Sequence, residues 1–130
     1  MKTFKKREHL CSKLLINKLY AEGISCINYP IRTTYLYNEL ENNTLQVLIS
    51  VSKRRFKRAV DRNLLKRRMR EAFRLNKDII NEGTLIKEKC LLIAYNYIGN
   101  EIIEFSKIER SIVKSLQFII SEKRKENGNF

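Results

Sequence analysis

The sequence predicts a single α+β domain in which helices pack on a four-stranded, mostly antiparallel sheet, in the order αβββαβα. The chain has 130 residues, which is enough for one hydrophobic core and too few for two ordinary domains. Segments with the apolar spacing of helices stand at the start, middle and end of the chain, and segments that alternate as strands do stand between them. We expect residues 1–121 to form the domain and residues 122–130 to be a polar, mobile tail.

The first part of the chain predicts one helix followed by three strands. Ser12 can cap a helix through KLLINKLYAE, and Gly23 is expected to end it. The segments SCINY and IRTTYLY lie on either side of Pro30, and the second alternates as a half-buried strand does. After the turn NELENNT, the segment LQVLISVSK alternates in the same way. A three-stranded antiparallel meander is the simplest arrangement of these segments.

The second part predicts a helix, a strand and a last helix. The segment KRAVDRNLLKRRMREAFR predicts a basic helix whose C-terminal end, near Leu75 to Ile80, the sequence does not fix, and INEGTLIKEK is expected to be a loop. The strand CLLIAYNY has too few polar residues to alternate, which indicates a position in the middle of the sheet. Ser106 and Glu109 have the spacing of a capping box at the start of the last helix. The apolar positions of that helix are Ile108, Ile112, Leu116, Ile119 and Ile120.

The charge of the chain indicates a polyanionic partner. The formal net charge is +13 and the pI is about 9.9, which is far more basic than solubility requires. No apolar run approaches the roughly 18 residues needed to cross a bilayer, and the N-terminus lacks the apolar core of a signal peptide. We therefore expect a cytoplasmic protein that binds no membrane.

The cysteines indicate neither a disulfide framework nor a metal site. Cys11, Cys26 and Cys90 are odd in number, widely spaced and without a CxxC pair. We expect them to be reduced residues that pack in the interior.

The basic helix has one apolar face and one cationic face. Leu65, Met69, Ala72 and Phe73 share a stripe that is expected to pack on the sheet. The opposite arc holds like charges at helical spacing, and no acid lies among them. Like charges three or four residues apart destabilise a helix by roughly 0.2–0.5 kcal/mol per pair unless an anion covers them. The arc consists of Asn63, Lys66, Arg67, Arg70 and Arg74.

Several classes of protein could carry such a helix. A solvated basic face is the usual explanation of a charge run. A membrane-surface helix needs an exposed apolar face, but here the core is expected to cover it. A DNA-binding helix would come with helix-turn-helix or dimer features, which the sequence does not show. A ribosomal protein or RNA chaperone on a similar scaffold is a further alternative. Because Arg dominates and its planar fork suits phosphate, nucleic acid is the favoured partner.

The segment AVDRNLLKRRMREAFR resembles the signature helix of the protein subunit of bacterial ribonuclease P, which carries an RNxxKRxxR core. Arg62, Asn63, Lys66, Arg67 and Arg70 match this core residue by residue. The resemblance extends upstream through LISVSKR and to LCSKLLINKLYAEGIS, and it covers about residues 5–75 well. The full spacing on a predicted helix, directly after a matching strand, is highly specific.

The resemblance implies a left-handed βαβ crossover and a role as accessory to a catalytic RNA. That RNA removes the 5′ leader of precursor tRNA by phosphodiester hydrolysis and uses Mg²⁺, and no obligate protein partner is expected. The motif helix and the loop before it would bind the catalytic RNA. The RNA-binding residues implied in this way are Lys53, Arg58, Arg62, Asn63, Lys66, Arg67, Arg70 and Arg74.

The resemblance also implies a cleft for the single-stranded leader, between the first helix and the sheet. Tyr20 and Tyr35 offer rings on which a base can stack, although buried core tyrosines are the alternative. The positions carried over to the cleft are Ile16, Tyr20, Tyr35, Leu48 and Ser50.

We expect no catalytic residue and no metal site in the protein itself. The single histidine, His9, lies in a polar N-terminal arm. Asp61 and Glu71 are ten residues apart on the basic helix, hence about 15 Å apart along it, and cannot share a metal ion. We expect them to pair with neighbouring Arg instead. Binding and positioning are the expected contributions of the protein.

Overall fold

The computed structural model of the protein describes residues 12–38, 45–81 and 90–128. The predicted order of elements is confirmed, with one addition: a short helix follows the basic helix. The elements are α1 Lys13–Glu22, β1 Ile24–Asn28, β2 Ile31–Asn38, β3 Leu45–Val51, α2 Ala59–Asn76, α3 Asp78–Asn81, β4 Cys90–Tyr97 and α4 Phe105–Gly128.

Both predicted ends of α1 are confirmed. The Ser12 hydroxyl accepts a hydrogen bond from the backbone N–H of Leu15 at 3.3 Å, which satisfies one free donor of the first turn. At the other end the N–H of Gly23 donates to the carbonyl of Leu19 at 2.8 Å. A Cβ at position 23 would stand 2.4 Å from that carbonyl oxygen, so the close approach requires glycine.

The sheet has the strand order β1-β2-β4-β3, so the predicted meander is wrong. β1 and β4 each pair antiparallel with β2, and β3 pairs with β4 rather than with β2. The reason is the composition of β4. Leu91 and Ile93 are buried on one face of the sheet while Leu92 and Ala94 are buried on the other. Only a central strand is covered on both faces, as the sequence of β4 had predicted.

The pairing of β3 with β4 is parallel, and this places the basic helix. Parallel neighbours cannot be joined by a tight turn and need a crossover connection. Here α2 lies in the connection between the two strands, so β3, α2 and β4 form a βαβ unit. The start of α2 therefore follows directly on the sheet edge formed by β3.

The core lies on both faces of the sheet. On one face α2 and α4 pack against the strands and form the larger cluster, which includes Leu65, Phe73, Ile112 and Leu116. On the other face α1 inserts Leu19 against β4 in a smaller cluster. The residues around this smaller cluster are only partly buried, so this face remains more open to solvent than the first. They are Leu15, Ile16, Leu36 and Leu48.

The last helix differs from its prediction at both ends. It begins at Phe105, so Ser106 lies inside the helix and the predicted capping box is wrong. The Glu109 carboxylate instead accepts a hydrogen bond from the Asn76 amide of α2 at 3.0 Å. The helix continues to Gly128, so residues 122–128, which were predicted to be a tail, belong to α4. The mobility expected for them stays a prediction.

Several predictions fall outside the described residues. They concern His9, Cys11, most of the turn NELENNT and most of the loop INEGTLIKEK. Cys26 is a half-buried free thiol, in agreement with the predicted packing role, and burial raises its pKa. Among the residues that the structure describes, no helix is long and apolar enough to cross a membrane. In the same ranges, no three His, Cys, Asp or Glu side chains are grouped so as to hold a metal ion.

Candidate nucleic-acid interface

The core fixes the rotation of α2 about its axis. All four positions predicted for its apolar stripe are completely buried: Leu65, Met69, Ala72 and Phe73. Phe73 packs against Tyr95 of β4, with ring centroids 6.0 Å apart. Since the buried stripe cannot turn, the residues opposite to it must face away from the sheet.

The N-terminal two-thirds of the predicted basic stripe is available to a partner. Asn63, Arg67 and Arg70 are exposed, and Lys66 is half-buried. None of these side chains makes a hydrogen bond or ion pair with another described residue. Lys53 and Arg58, in the loop before the helix, are exposed and equally without a described partner. These groups can therefore neutralise phosphates without first breaking protein contacts.

Arg62 has a different position from its neighbours. Its Nη1 donates to the backbone carbonyl of Phe56 at 2.8 Å and to that of Lys57 at 2.9 Å. Phe56 is buried, and its ring lies 5.7 Å from that of Tyr97. The Arg62 guanidinium thus holds the basic loop against the start of α2, which has no side-chain cap at Arg58. The RNA-binding role carried over to Arg62 stays a prediction.

The pairing with a neighbouring Arg that is expected of Glu71 is confirmed at the C-terminal end of α2. Glu71 forms an ion pair with Arg74 one turn later, through two hydrogen bonds to the guanidinium. The hydrogen bond from Arg74 lowers the pKa of Glu71, so the carboxylate stays ionised at neutral pH. The free positive charge of α2 is therefore concentrated between Lys66 and Arg70.

Two arginines that the motif does not include form hydrogen bonds with the connection between β4 and α4. Arg55 donates from Nη1 to the carbonyl of Ile98 at 2.7 Å and to the side chain of Asn100 at 2.9 Å. Arg68 donates to the carbonyl of Ile103 at 2.7 Å. Both arginines hold the connection between β4 and α4 against the basic helix and its loop. Arg54 and Lys57, which the predicted set omitted, are exposed beside them.

Four of the five positions predicted for the cleft lie on the face of the sheet covered by α1. Ile16 and Leu48 are half-buried around Leu19. The hydroxyl of Tyr20 donates to Asn96 Oδ1 of β4 at 3.1 Å, and the side chain of Tyr20 is 46% exposed. Ser50 of β3 stands beside Asn96 in the parallel register. Together they line an open surface between α1 and β3.

Tyr35 does not belong to this cleft, and its assignment is corrected. Its side chain is 3% exposed and lies in the larger cluster, on the opposite face of the sheet. Its ring contacts those of Tyr37 and Phe118 edge-on, with centroids 6.1 and 6.3 Å apart. Because side chains alternate along a strand, the neighbour Leu36 faces α1 instead.

Asn96 is the cleft residue that the sequence reasoning missed. Alternation along β4 places it on the same face as Leu92 and Ala94, so the signal was present. What the sequence lacked was the register that brings Ser50 and Arg32 to either side of Asn96. Tyr20 reaches this position from α1, which packs on β2 and β4.

Comparison with known families gives a match over most of the chain. Residues 4–119 match the family model described as Ribonuclease P. The curated ribonuclease P protein component of Porphyromonas gingivalis is 38% identical over 112 residues, which cover 85% of this chain and 82% of that protein. The corresponding protein of Petrotoga mobilis is 33% identical over 115 residues, covering 86% of this chain and 91% of that protein.

Solved structures show the same fold. The RNase P protein of Staphylococcus aureus superposes with a TM-score of 0.67 at 24% identity, covering 88% of this chain and 96% of that chain. The RNase P protein of Thermotoga maritima superposes with a TM-score of 0.64 at 23% identity, covering 86% and 97%. Proteins that are less than 25% identical to this chain therefore share its single sheet and its helices.

Proposed function

Because the chain belongs to the ribonuclease P protein family, we propose that it is the protein subunit of a ribonuclease P ribonucleoprotein. In this role it binds the catalytic RNA and the 5′ leader of precursor tRNA, and assists the endonucleolytic removal of the leader. The RNA component carries out the hydrolysis with Mg²⁺. The protein supplies binding and positioning, needs no second protein and acts in the cytoplasm.

The observation that carries the proposal is the free cationic surface of α2. Lys66, Arg67 and Arg70 point away from a completely buried stripe and have no described protein partner. Such a surface is disfavoured by its own repulsion and is stabilised by the phosphates of a folded RNA. The exposed Lys53 and Arg58 extend it to the end of β3.

The surface between α1 and β3 supports the leader assignment. Tyr20 offers an aromatic ring that is nearly half exposed, and its hydrogen bond to Asn96 restricts the orientation of that ring. A single-stranded nucleotide can stack there with no need for a defined sequence. A site for the leader favours precursor over product, since mature tRNA has lost the leader.

One experiment tests the cationic surface. We expect Arg67→Ala to weaken binding to a bacterial catalytic RNA and to reduce the slope of log K against log salt by about 0.9, the value for one phosphate contact. Arg67→Ala/Arg70→Ala should reduce it by about twice as much. Lys13→Ala removes one exposed charge from α1 and serves as the control. An affinity and a slope that do not change in the double variant would exclude this interface.

A second experiment tests the leader site and the function as a whole. The chain is added to a catalytic RNA at low Mg²⁺, and cleavage of a precursor tRNA is measured. We expect stimulation, whereas a ribosomal protein or RNA chaperone would give none. Tyr20→Ala should weaken binding of precursor about 5- to 100-fold, the range for one lost stacking contact, and leave binding of mature tRNA unchanged. Tyr20→Phe keeps the ring and should lose less, and an equal loss for both RNAs rejects the leader assignment.

A further inference from the structure

A hollow lies between the β1–β2 turn and α4. Its volume is about 400 Å³. One wall is the turn with Asn28 and Tyr29, and the other is α4 with Lys107, Arg110, Ser111 and Lys114. None of these residues belongs to the cationic surface of α2 or to the cleft beside α1.

The two walls are held together by a buried side chain. The hydroxyl of Ser111 lies 2.7 Å from the carbonyl oxygen of Asn28 and 2.8 Å from that of Tyr29, close enough to donate to either. Ser111 is 3% exposed, so this contact excludes water. The fold therefore forms the hollow without a ligand, so a ligand does not lose binding free energy by ordering its walls.

The α4 wall carries three cations on one side of the helix. Lys107, Arg110 and Lys114 are exposed and stand at i, i+3 and i+7. Arg110 and Lys114 make no hydrogen bond or ion pair with another described residue. Lys107 lies 3.9 Å from Glu104, and both side chains are more than 60% exposed, so this ion pair is weak. As on α2, like charges at helical spacing favour an anionic ligand.

The turn wall carries an exposed aromatic ring. Tyr29 is 63% exposed although it lines the hollow. Its hydroxyl lies beside Gly99, where an added Cβ would stand 3.3 Å from it. The preceding residue, Ile98, accepts the hydrogen bond of Arg55 from the basic loop. The ring therefore stands next to the segment that the basic loop holds in place.

We propose that this hollow is a second site for single-stranded RNA, in which Arg110 and Lys114 bind phosphates and Tyr29 stacks on a base. Cations beside an exposed aromatic ring are the combination that binds single-stranded nucleic acid. A membrane surface would require a row of large exposed apolar side chains beside the cations, and Tyr29 is the single large one on the hollow's described lining. The site goes beyond the proposed function, because its test needs neither catalytic RNA nor precursor tRNA.

The test is a fluorescence anisotropy titration of a labelled, unstructured RNA of about ten nucleotides with the full chain at several salt concentrations. We expect Arg110→Ala/Lys114→Ala to bind roughly tenfold more weakly at low salt and to lose about 1.4 from the salt slope, since each phosphate contact on a single strand contributes about 0.7. Lys114→Ala alone should reduce the salt slope by about 0.7, half of the reduction in the double variant. Lys13→Ala, which removes the same charge from α1, should change neither quantity.

The aromatic contact is tested separately. Tyr29→Leu keeps apolar bulk without a ring and should bind at least about fivefold more weakly, while Tyr29→Phe should bind as the unchanged protein does. Circular dichroism confirms that each variant is folded, as expected for exposed positions. The same losses are expected in the Tyr20→Ala background, because the hollow and the cleft beside α1 share no residue.

Three results would overturn the proposal. In the first, Arg110→Ala/Lys114→Ala binds RNA with the affinity and slope of the Lys13→Ala control. In the second, Tyr29→Leu and Tyr29→Phe bind equally well, which removes the stacking contact. In the third, a parallel titration with phosphatidylglycerol vesicles shows that the double variant loses lipid binding and keeps RNA binding. If the unchanged protein binds the oligonucleotide as expected but does not stimulate cleavage of precursor tRNA by a catalytic RNA, the result counts against the proposed function alone.

Discussion

Neighbouring arginines of the basic segment do different things in this protein. Arg67 and Arg70 are exposed and free of described partners, whereas Arg62 bonds two backbone carbonyls and Arg74 pairs with Glu71. Their side chains are chemically identical, and within one helix they differ only in what each can reach. A motif match therefore identifies the surface, while the contacts identify which of its cations remain available to phosphate.

Arg62 is predicted to contribute to stability as well as to RNA binding. Arg62→Ala removes both hydrogen bonds to the carbonyls of Phe56 and Lys57, so we expect the free energy of unfolding to fall by about 1.5–3 kcal/mol. Urea denaturation with an unchanged m value measures this. Arg67→Ala is the matched control on the same helix and should not lower the midpoint, since it breaks no hydrogen bond and relieves one like-charge pair, a gain of roughly 0.2–0.5 kcal/mol. A midpoint that is equal for both variants would show that the Arg62 contacts contribute nothing to stability.

Glu71 is predicted to weaken RNA binding. Glu71→Gln removes the charge that pairs with Arg74 and so takes a negative charge from the surface that faces phosphate. We expect tighter binding to the catalytic RNA and a salt slope that is steeper by up to about one contact. Glu22→Gln removes an exposed acid from α1 and controls for the change in net charge. Equal gains in both variants would mean that total charge, and not the position of Glu71 on α2, is responsible.

At the scale of the element, α2 packs on the sheet through one face and presents its cations on the other. The buried stripe docks the helix on the sheet, and the docking turns the cations outward. The helix itself is a poor one in isolation, since like charges repel along its outer face. Its stability in the protein comes from burial of the apolar stripe and from Arg55 and Arg68, which bind the segment after β4.

The dependence of α2 on its buried stripe gives a direct prediction. Leu65→Ala leaves a cavity in the larger cluster, and we expect a loss of about 2–5 kcal/mol in the free energy of unfolding. Val60→Ala, at a position of α2 that is 67% exposed, should change it by less than about 0.5 kcal/mol. Thermal or urea denaturation distinguishes the two. Similar losses in both variants would mean that packing of the Leu65 side chain is not what stabilises α2.

At the scale of the whole molecule, the sheet separates the proposed RNA-binding surface of α2 from the cleft. α2 packs on the face that holds Tyr35 and Ile93, and Tyr20 lies on the face that holds Leu92 and Ala94. One side chain of β4 cannot reach both surfaces, since successive residues point to opposite faces. The two surfaces can thus engage different parts of an RNA assembly at the same time.

This separation predicts additive effects. In binding of precursor tRNA to the assembled ribonucleoprotein, the losses caused by Arg67→Ala and Tyr20→Ala should add to within about 0.5 kcal/mol in the double variant. A double-mutant cycle from three equilibrium titrations measures the difference. A coupling larger than about 1 kcal/mol would show that the surfaces are linked through the fold or through the bound RNA.

The sequence by itself determined the elements, their order and most of their buried faces. Local patterns predicted the caps at Ser12 and Gly23, the buried stripe of α2 and the central place of β4. They could do so because the backbone geometry of a helix or strand determines which side chains share a face. The family motif followed from the same helix.

The tertiary structure alone decided which strands pair, which face Tyr35 occupies and which arginines are already bonded. β4 lies between β2 and β3 because it is apolar on both sides, and the pairing that satisfies this joins segments far apart in the chain. Tyr20 meets Asn96, and Arg55 and Arg68 bond the segment after β4, through contacts that no local pattern encodes, whereas the Glu71–Arg74 pair is a local i, i+3 contact. Spacing along the chain predicts the face of a helix or strand on which a side chain lies. Which side chains come close together is decided only when the whole core packs.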